Sequence, residues 1–177
     1  MNTSIKIRIY IVFTVLVAVW CSGIFAAPVL KHAGLNGSAD IAYSVFLRVC
    51  HQSDARSFHA EGEKLGVCIR CSAIYFGFLA GLLFMPLSGV LKRMQMPKPM
   101  MIIAVLIPMA LDVVLNDTGL YASTTMTRVA TGLLFGGVMP WCIVPLLIEA
   151  YSQLINRHKK KIHSLDSGVY TYDRKTQ

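Results

Sequence analysis

Residues 50–81 read CHQSDARSFHAEGEKLGVCIRCSAIYFGFLAG. The stretch opens on a Cys-His pair, Cys50 and His51, and crosses a polar segment carrying Arg56, His59 and Glu61. It then meets a C-x-x-C, Cys68 and Cys71, set directly on the start of a hydrophobic run. Three cysteines and two histidines so close together are too concentrated to be incidental packing residues. A thiol pair on the first turn of an apolar helix puts ligand or redox chemistry at the end of a membrane span. The rest of the chain reads as the scaffold that holds it there.

Composition agrees with that reading. Of 177 residues, 55% are hydrophobic, and they fall in long blocks. Such blocks mark a polytopic membrane protein and not a large soluble core. The net charge of +8 would suggest nucleic acid in a soluble protein. Here the basic residues flank the apolar blocks, where they set orientation and meet lipid headgroups. No basic patch is interleaved with aromatics, so nucleic acid is set aside as a partner and the lipid bilayer takes its place. Five cysteines cannot all pair with one another, so at least one is free or bound to something else.

Outward from the central stretch, the chain divides into four spans at about residues 7–28, 68–91, 100–116 and 127–155, an all-α bundle forming one domain over residues 1–155. The first span follows Lys6 and Arg8. Phe25 occupies a place where signal-peptide cleavage after Ala27 would want a small residue, so the segment is read as retained, with a cleaved signal peptide as the alternative. Residues 28–37 read as a connector broken by Gly34, Asn36 and Gly37. Ser38 is then placed to cap a short interfacial helix over residues 39–50, with Asp40, Ser44 and Arg48 as its polar stripe. Residues 52–66 read as loop, within an outer Cys/His segment spanning 31–67. Ala73, Gly77 and Gly81 form a small-residue stripe on the second span, and Gly132 and Gly136 a second one on the fourth. The basic tail, residues 156–177, reads as loose. Lys6, Arg8, Lys92, Arg93, Lys98, Arg157 and Lys159 to Lys161 all fall on one side of this topology. By the positive-inside rule both termini are cytoplasmic and the thiol segment faces outward, in the cytoplasmic membrane of a prokaryote.

Several chemically capable residues converge at that outer level. Asp112 lies about one turn inside the third span and Arg128 begins the fourth. An ionisable group inside a span is expensive and paired, and Asp112 with Arg128 is the expected pair. Cys50, Cys68 and Cys71 with either His51 or His59 make a Cys3His set, a zinc arrangement, and Cu(I) or iron accept the same ligands. Adjacent Cys50 and His51 are awkward on one ion, which favours His59 as the fourth ligand. Arg56, Arg70, Tyr75, Asp112 and Arg128 are the supporting or catalytic candidates. Thiol–disulfide exchange is the competing chemistry, since a C-x-x-C at a helix start favours the thiolate and Arg70 adds to that. In that version the chain looks like the quinone-linked disulfide oxidases, with a quinone as cofactor, but only Cys50 remains where a second cysteine pair is needed. A third reading is an accessory subunit, docked on a membrane partner or on another copy of itself and stiffened by a disulfide. Whether the protein is an enzyme stays open.

The compound pattern C-H-Q-x-x-x-R-S-F, G-x-x-x-x-x-C-x-R-C-x-x-I-Y-x-G, P-x-x-x-D and R-x-x-T-G-x-x-x-G resembles a family of small predicted membrane proteins, the domain of unknown function 2085. The resemblance runs from Cys50 to Gly136. It implies a membrane location and importance for the outer cluster, and it implies no reaction.

Overall fold

The computed structural model describes residues 3–60, 62–87 and 98–173, with side chains described up to residue 157. Helix α1 spans Thr3–His32 and α2 Asn36–Leu47. A 3-10 turn at Asp54–Arg56 leads into an antiparallel hairpin of β1, Ser57–Ala60, and β2, Glu63–Cys68. Helices α3, Ile69–Phe84, α4, Pro99–Asp117, and α5, Thr125–Asp173, complete the chain.

Three helical segments, Thr3–His32, Pro99–Asp117 and Thr125–Arg157, are long and apolar enough to cross a membrane. Helix α3 is equally apolar but has 16 residues, about 24 Å of helix against a hydrocarbon core of about 30 Å. Among the described residues the protein is thus mainly helical, with three candidate spans and a small two-stranded sheet. The outward surface of α1, including Val12, Val15, Leu16 and Val19, is exposed and apolar, which suits hydrocarbon. Its inward stripe of Tyr10, Cys21, Ile24, Ala27 and Pro28 is buried.

Helix α3 packs most intimately against α5, and the two glycine stripes explain why. A Cβ on Gly77 would come within 2.6 Å of the Leu133 carbonyl oxygen, and one on Gly132 within 2.8 Å of the Ala73 Cβ. Gly81 meets Gly137 and Pro140, and Gly136 lies against the Ile74 carbonyl. Small residues permit such backbone contact, and any side chain would prevent it. The order of contacts, Gly132 to Ala73 and then Pro140 to Gly81, makes α3 and α5 run in the same direction. Helix α1 runs opposite to α3. Its Tyr10 hydroxyl donates to the Leu82 carbonyl at one end, and its Trp20 ring packs edge-on against Tyr75 at the other.

Four local expectations change. Helix α1 passes through Pro28 to His32 instead of giving way to a connector. Pro28 removes an N–H that would have bonded the Ile24 carbonyl, and that carbonyl faces Gly66 of β2, where a Cβ would lie 3.2 Å away. Helix α2 begins at Asn36, not after Ser38, and ends three residues before Cys50. Residues 52–66 are not simply loop, because Ser57 to Ala60 and Glu63 to Cys68 pair across Gly62 at φ 81°. Burial of Leu65, Gly66 and Val67 against α1 and Phe46 secures a hairpin that its polar composition hides. The tail is drawn into α5 as far as Asp173, since a run of Lys, Ile and Leu without Pro lets a formed helix propagate. Of the second span, residues 88–91 lie outside the described residues, as does most of the basic turn after it.

Candidate metal centre

Three different elements deliver the thiols. Cys50 follows the end of α2, Cys68 closes β2, and Cys71 sits in the first turn of α3. Their sulfur atoms all lie within 4.8 Å of one another. The sulfurs of a tetrahedral zinc–thiolate site are about 3.8 Å apart, given Zn–S bonds of about 2.3 Å. The cluster therefore surrounds a point that one ion can occupy after adjustments on the order of 1 Å. Cys50 is buried, Cys68 and Cys71 are partly buried, and Ile24, Phe46, Leu65 and Val67 enclose them with Trp20, Tyr75 and Phe76 packed alongside.

Backbone amides are aimed at the sulfurs. Cys68 N–H donates to Cys50 Sγ at 3.1 Å and Gln52 N–H at 3.5 Å. Gln52 can do so because it adopts φ 48°, a left-handed conformation, immediately after His51. Two bonds hold it there, and a third ties their partners to each other. Its side-chain amide donates to the Tyr43 carbonyl at 2.7 Å, its own carbonyl accepts from Lys64 Nζ at 3.1 Å, and Tyr43 Oη donates to the Lys64 carbonyl at 2.6 Å. Donors fixed on a sulfur stabilise its thiolate. Cys68, which lies ahead of the helix, is lowered to about 5. The hydrogen bond from the Cys71 thiol is the main cause, and it outweighs burial with help from the Cys71 and Arg70 amides and the Cys50 thiol.

The histidines are elsewhere. His51 is exposed, and His59 places Nε2 3.2 Å from Asp54 Oδ1 on the outer side of β1. An irregularity in register between Ser57 and His59 breaks the strand alternation that would have been needed to turn His59 inward. The Cys3His set is not assembled among the described residues, whereas the three thiols are. Arg56 is exposed on the 3-10 turn. Tyr75 stands one turn beyond Cys71 in the shell of the cluster.

The ion pair forms between different partners from those expected. Arg70 Nη2 bonds Asp112 Oδ2, with only 19% and 7% of the two side chains exposed. Arg128 instead donates to Ser123 Oγ at 3.2 Å and Asn116 Oδ1 at 3.3 Å, bracing the turn between α4 and α5. A short turn does bring Asp112 and Arg128 to the same end, but that turn's own polar groups consume the guanidinium. Arg70, placed between the two C-x-x-C thiols, reaches α4 directly. Gln52, Tyr43 and Lys64 are the parts of the site that residue chemistry alone overlooked. A Gln beside a Cys-His pair was the available signal, and its backbone role has no side-chain signature.

The fold and the site together define a small helical membrane protein with a three-thiol centre at one end of its bundle. The chain belongs to the predicted membrane protein family known as the domain of unknown function 2085, whose model matches residues 50–143. It is 31% identical over 147 residues to an uncharacterized protein of Methanocaldococcus jannaschii, an alignment covering 80% of this chain and 94% of that protein. No solved structure matches. The family match begins on Cys50 itself and takes in all three thiols, the Arg70–Asp112 pair and both glycine stripes.

Proposed function

We propose that this protein is a membrane metalloprotein in which Cys50, Cys68 and Cys71 hold a divalent ion, zinc by preference. The observation that carries the reading is the convergence of three thiols from three separate elements within 4.8 Å, with backbone donors directed at Cys50. Three soft sulfur ligands in a mostly apolar shell suit zinc, and three cannot satisfy one another as disulfides. Three protein ligands with a fourth position left to water or substrate is the pattern of catalytic zinc, while a fourth ligand from a partner would make the site structural. Thiol–disulfide exchange has less support. Cys21, the nearest candidate for a second pair, donates its thiol to the Tyr75 carbonyl at 3.5 Å and stands outside the cluster.

The proposed setting is the cytoplasmic membrane of a prokaryote, with four crossings, both termini cytoplasmic and the thiols on the outer face. The parallel course of α3 and α5 and the opposite course of α1 support the fourth crossing despite the short α3. The basic residues around Lys6 and Arg157 support the orientation. Metal analysis of full-length protein purified in mild detergent without chelator, with free thiols counted alongside, tests the site. One ion per chain is expected, lost in Cys68→Ser and in Cys71→Ser, with the thiols of wild type becoming reactive only after chelation. Absence of metal together with a reducible disulfide containing Cys50 would sink the proposal.

A further inference from the structure

Beside the thiol centre, on the flank where the hairpin overhangs α3 and α5, lies a second site. A cleft of about 400 Å³ is lined by Phe25 of α1, Phe58 and His59 of β1, Ser72 and Phe76 of α3, and Val129 of α5, among others. That volume is within the range of small-molecule sites, roughly 300–1,000 Å³. Phe25 and Phe58 are 43% and 40% exposed, so two aromatic rings flank an open mouth. Phe25 and Phe76 stand 5.8 Å apart by ring centroids, tilted by 45°. The polar group within the lining is unusual, because Ser72 is only 3% exposed and its hydroxyl has no hydrogen-bond partner. A buried hydroxyl without a partner is costly, and native proteins supply one from the chain, from water or from a ligand.

We infer that this cleft binds a lipid-soluble molecule with a flat, uncharged, carbonyl-bearing ring and a hydrocarbon tail, a quinone-type amphiphile. The three phenylalanines suit a flat ring by stacking or edge contact. The Ser72 hydroxyl, enclosed in the floor of the cleft, would turn into it by a rotamer change and donate to one ring carbonyl. His59 at the rim, engaged through Nε2 with Asp54, gives the mouth a polar edge. Among the described residues no Lys or Arg lines the cleft, which removes the groups that would recognise a phosphate headgroup. Ser72 directly follows Cys71, so an occupant would rest against the same helical turn as the thiols. The inference concerns binding and stands independently of the metal.

Full-length protein in phosphatidylcholine nanodiscs, titrated with decylubiquinone, provides the test. Quenching of tryptophan fluorescence reports occupancy, since Trp20 packs in the same cluster as Phe76 and Leu65. Saturable quenching is expected, about fivefold weaker in Ser72→Ala, the loss of one hydrogen bond, and absent in Val129→Phe, which fills the cleft. Phe58→Ala, on an exposed strand position, is the second variant should Val129→Phe fail to fold, and it is also expected to weaken binding. Quenching that never saturates would overturn the inference, as would an affinity unchanged in Ser72→Ala and in the cleft variants. So would displacement of the quinone by phosphatidylglycerol at equal concentration, which would mark the cleft as a general lipid groove.

Discussion

Replacing Asp112 with Leu should expose how the thiol end of the bundle is held together. Arg70 would keep its charge at 19% side-chain exposure, while its Asp112 partner, 7% exposed, is lost. Breaking a buried ion pair by removing one member costs about 3–5 kcal/mol, and the partial exposure of Arg70 puts the expected loss near the lower figure. The double variant Arg70→Met, Asp112→Leu removes both charges at similar volume and should recover to within about 1 kcal/mol of wild type. The two positions should therefore couple by about 2 kcal/mol or more in a double-mutant cycle. Arg128→Met is the discriminating control. Arg128 bonds the neutral Ser123 and Asn116, at about 0.5–1.5 kcal/mol per bond, and its coupling to Asp112→Leu should stay below about 0.5 kcal/mol. Equilibrium unfolding in mixed detergent and SDS micelles, followed by circular dichroism, measures wild type and the five variants of the two cycles. Coupling of Asp112 to Arg128, with none to Arg70, would refute the pairing and restore the partner that chain order alone suggests.

Four further variants probe the scaffold and the thiol turn. Gly136→Ala should destabilise the protein by about 1–3 kcal/mol in the same unfolding assay, as an overpacked contact does, because its Cβ would meet the Ile74 carbonyl. Gly37→Ala, with nothing within 4 Å of its Cβ, should be neutral or slightly stabilising. Gln52→Ala should lower metal affinity by about 10–100-fold in competition with a chromogenic chelator, as loss of an outer-shell partner does. Gln52→Gly, which keeps access to φ 48° but loses the bond to Tyr43, should fall between wild type and Gln52→Ala. Equal affinities for all three would remove the turn from the site.

What could be read from the chain divides along a physical line. Apolar blocks, small-residue stripes and the C-x-x-C are properties of neighbouring residues, and the membrane helices, the α3–α5 contact and the thiol group follow from them. The hairpin was hidden because its buried residues, Leu65, Gly66 and Val67, are three in a row among charged neighbours, with no alternation to mark a strand. The connector expected at residues 28–37 starts too early because α1 carries on through Pro28 to His32, the freed Ile24 carbonyl facing Gly66. The choice between Arg70 and Arg128 for Asp112 depends on which helix face turns toward α4, and spacing along one chain does not fix that. His59 belonged to the expected ligand set only while β1 was taken as featureless loop.

The position of the thiols says what a bound ion would do for the fold. A two-stranded hairpin is marginal on its own in water, and this one rests on α1 through Leu65 and Val67, on α2 through Tyr43 and on the segment after α2 through Gln52. Cys50 belongs to the segment leaving α2, Cys68 to the last position of β2 and Cys71 to α3, so one ion would tie the overhanging layer to the membrane helices at a single point. Metal ligands spread over separate elements convert binding free energy into folding free energy. Cys68 and Cys71 alone would have joined only β2 and α3, which already follow one another directly in the chain. Cys50, the candidate ligand most distant in sequence and the most deeply buried, is the one that would make such a centre a clasp between layers. The amides of Gln52 and Cys68 on its sulfur are the means by which that ligand is held ready.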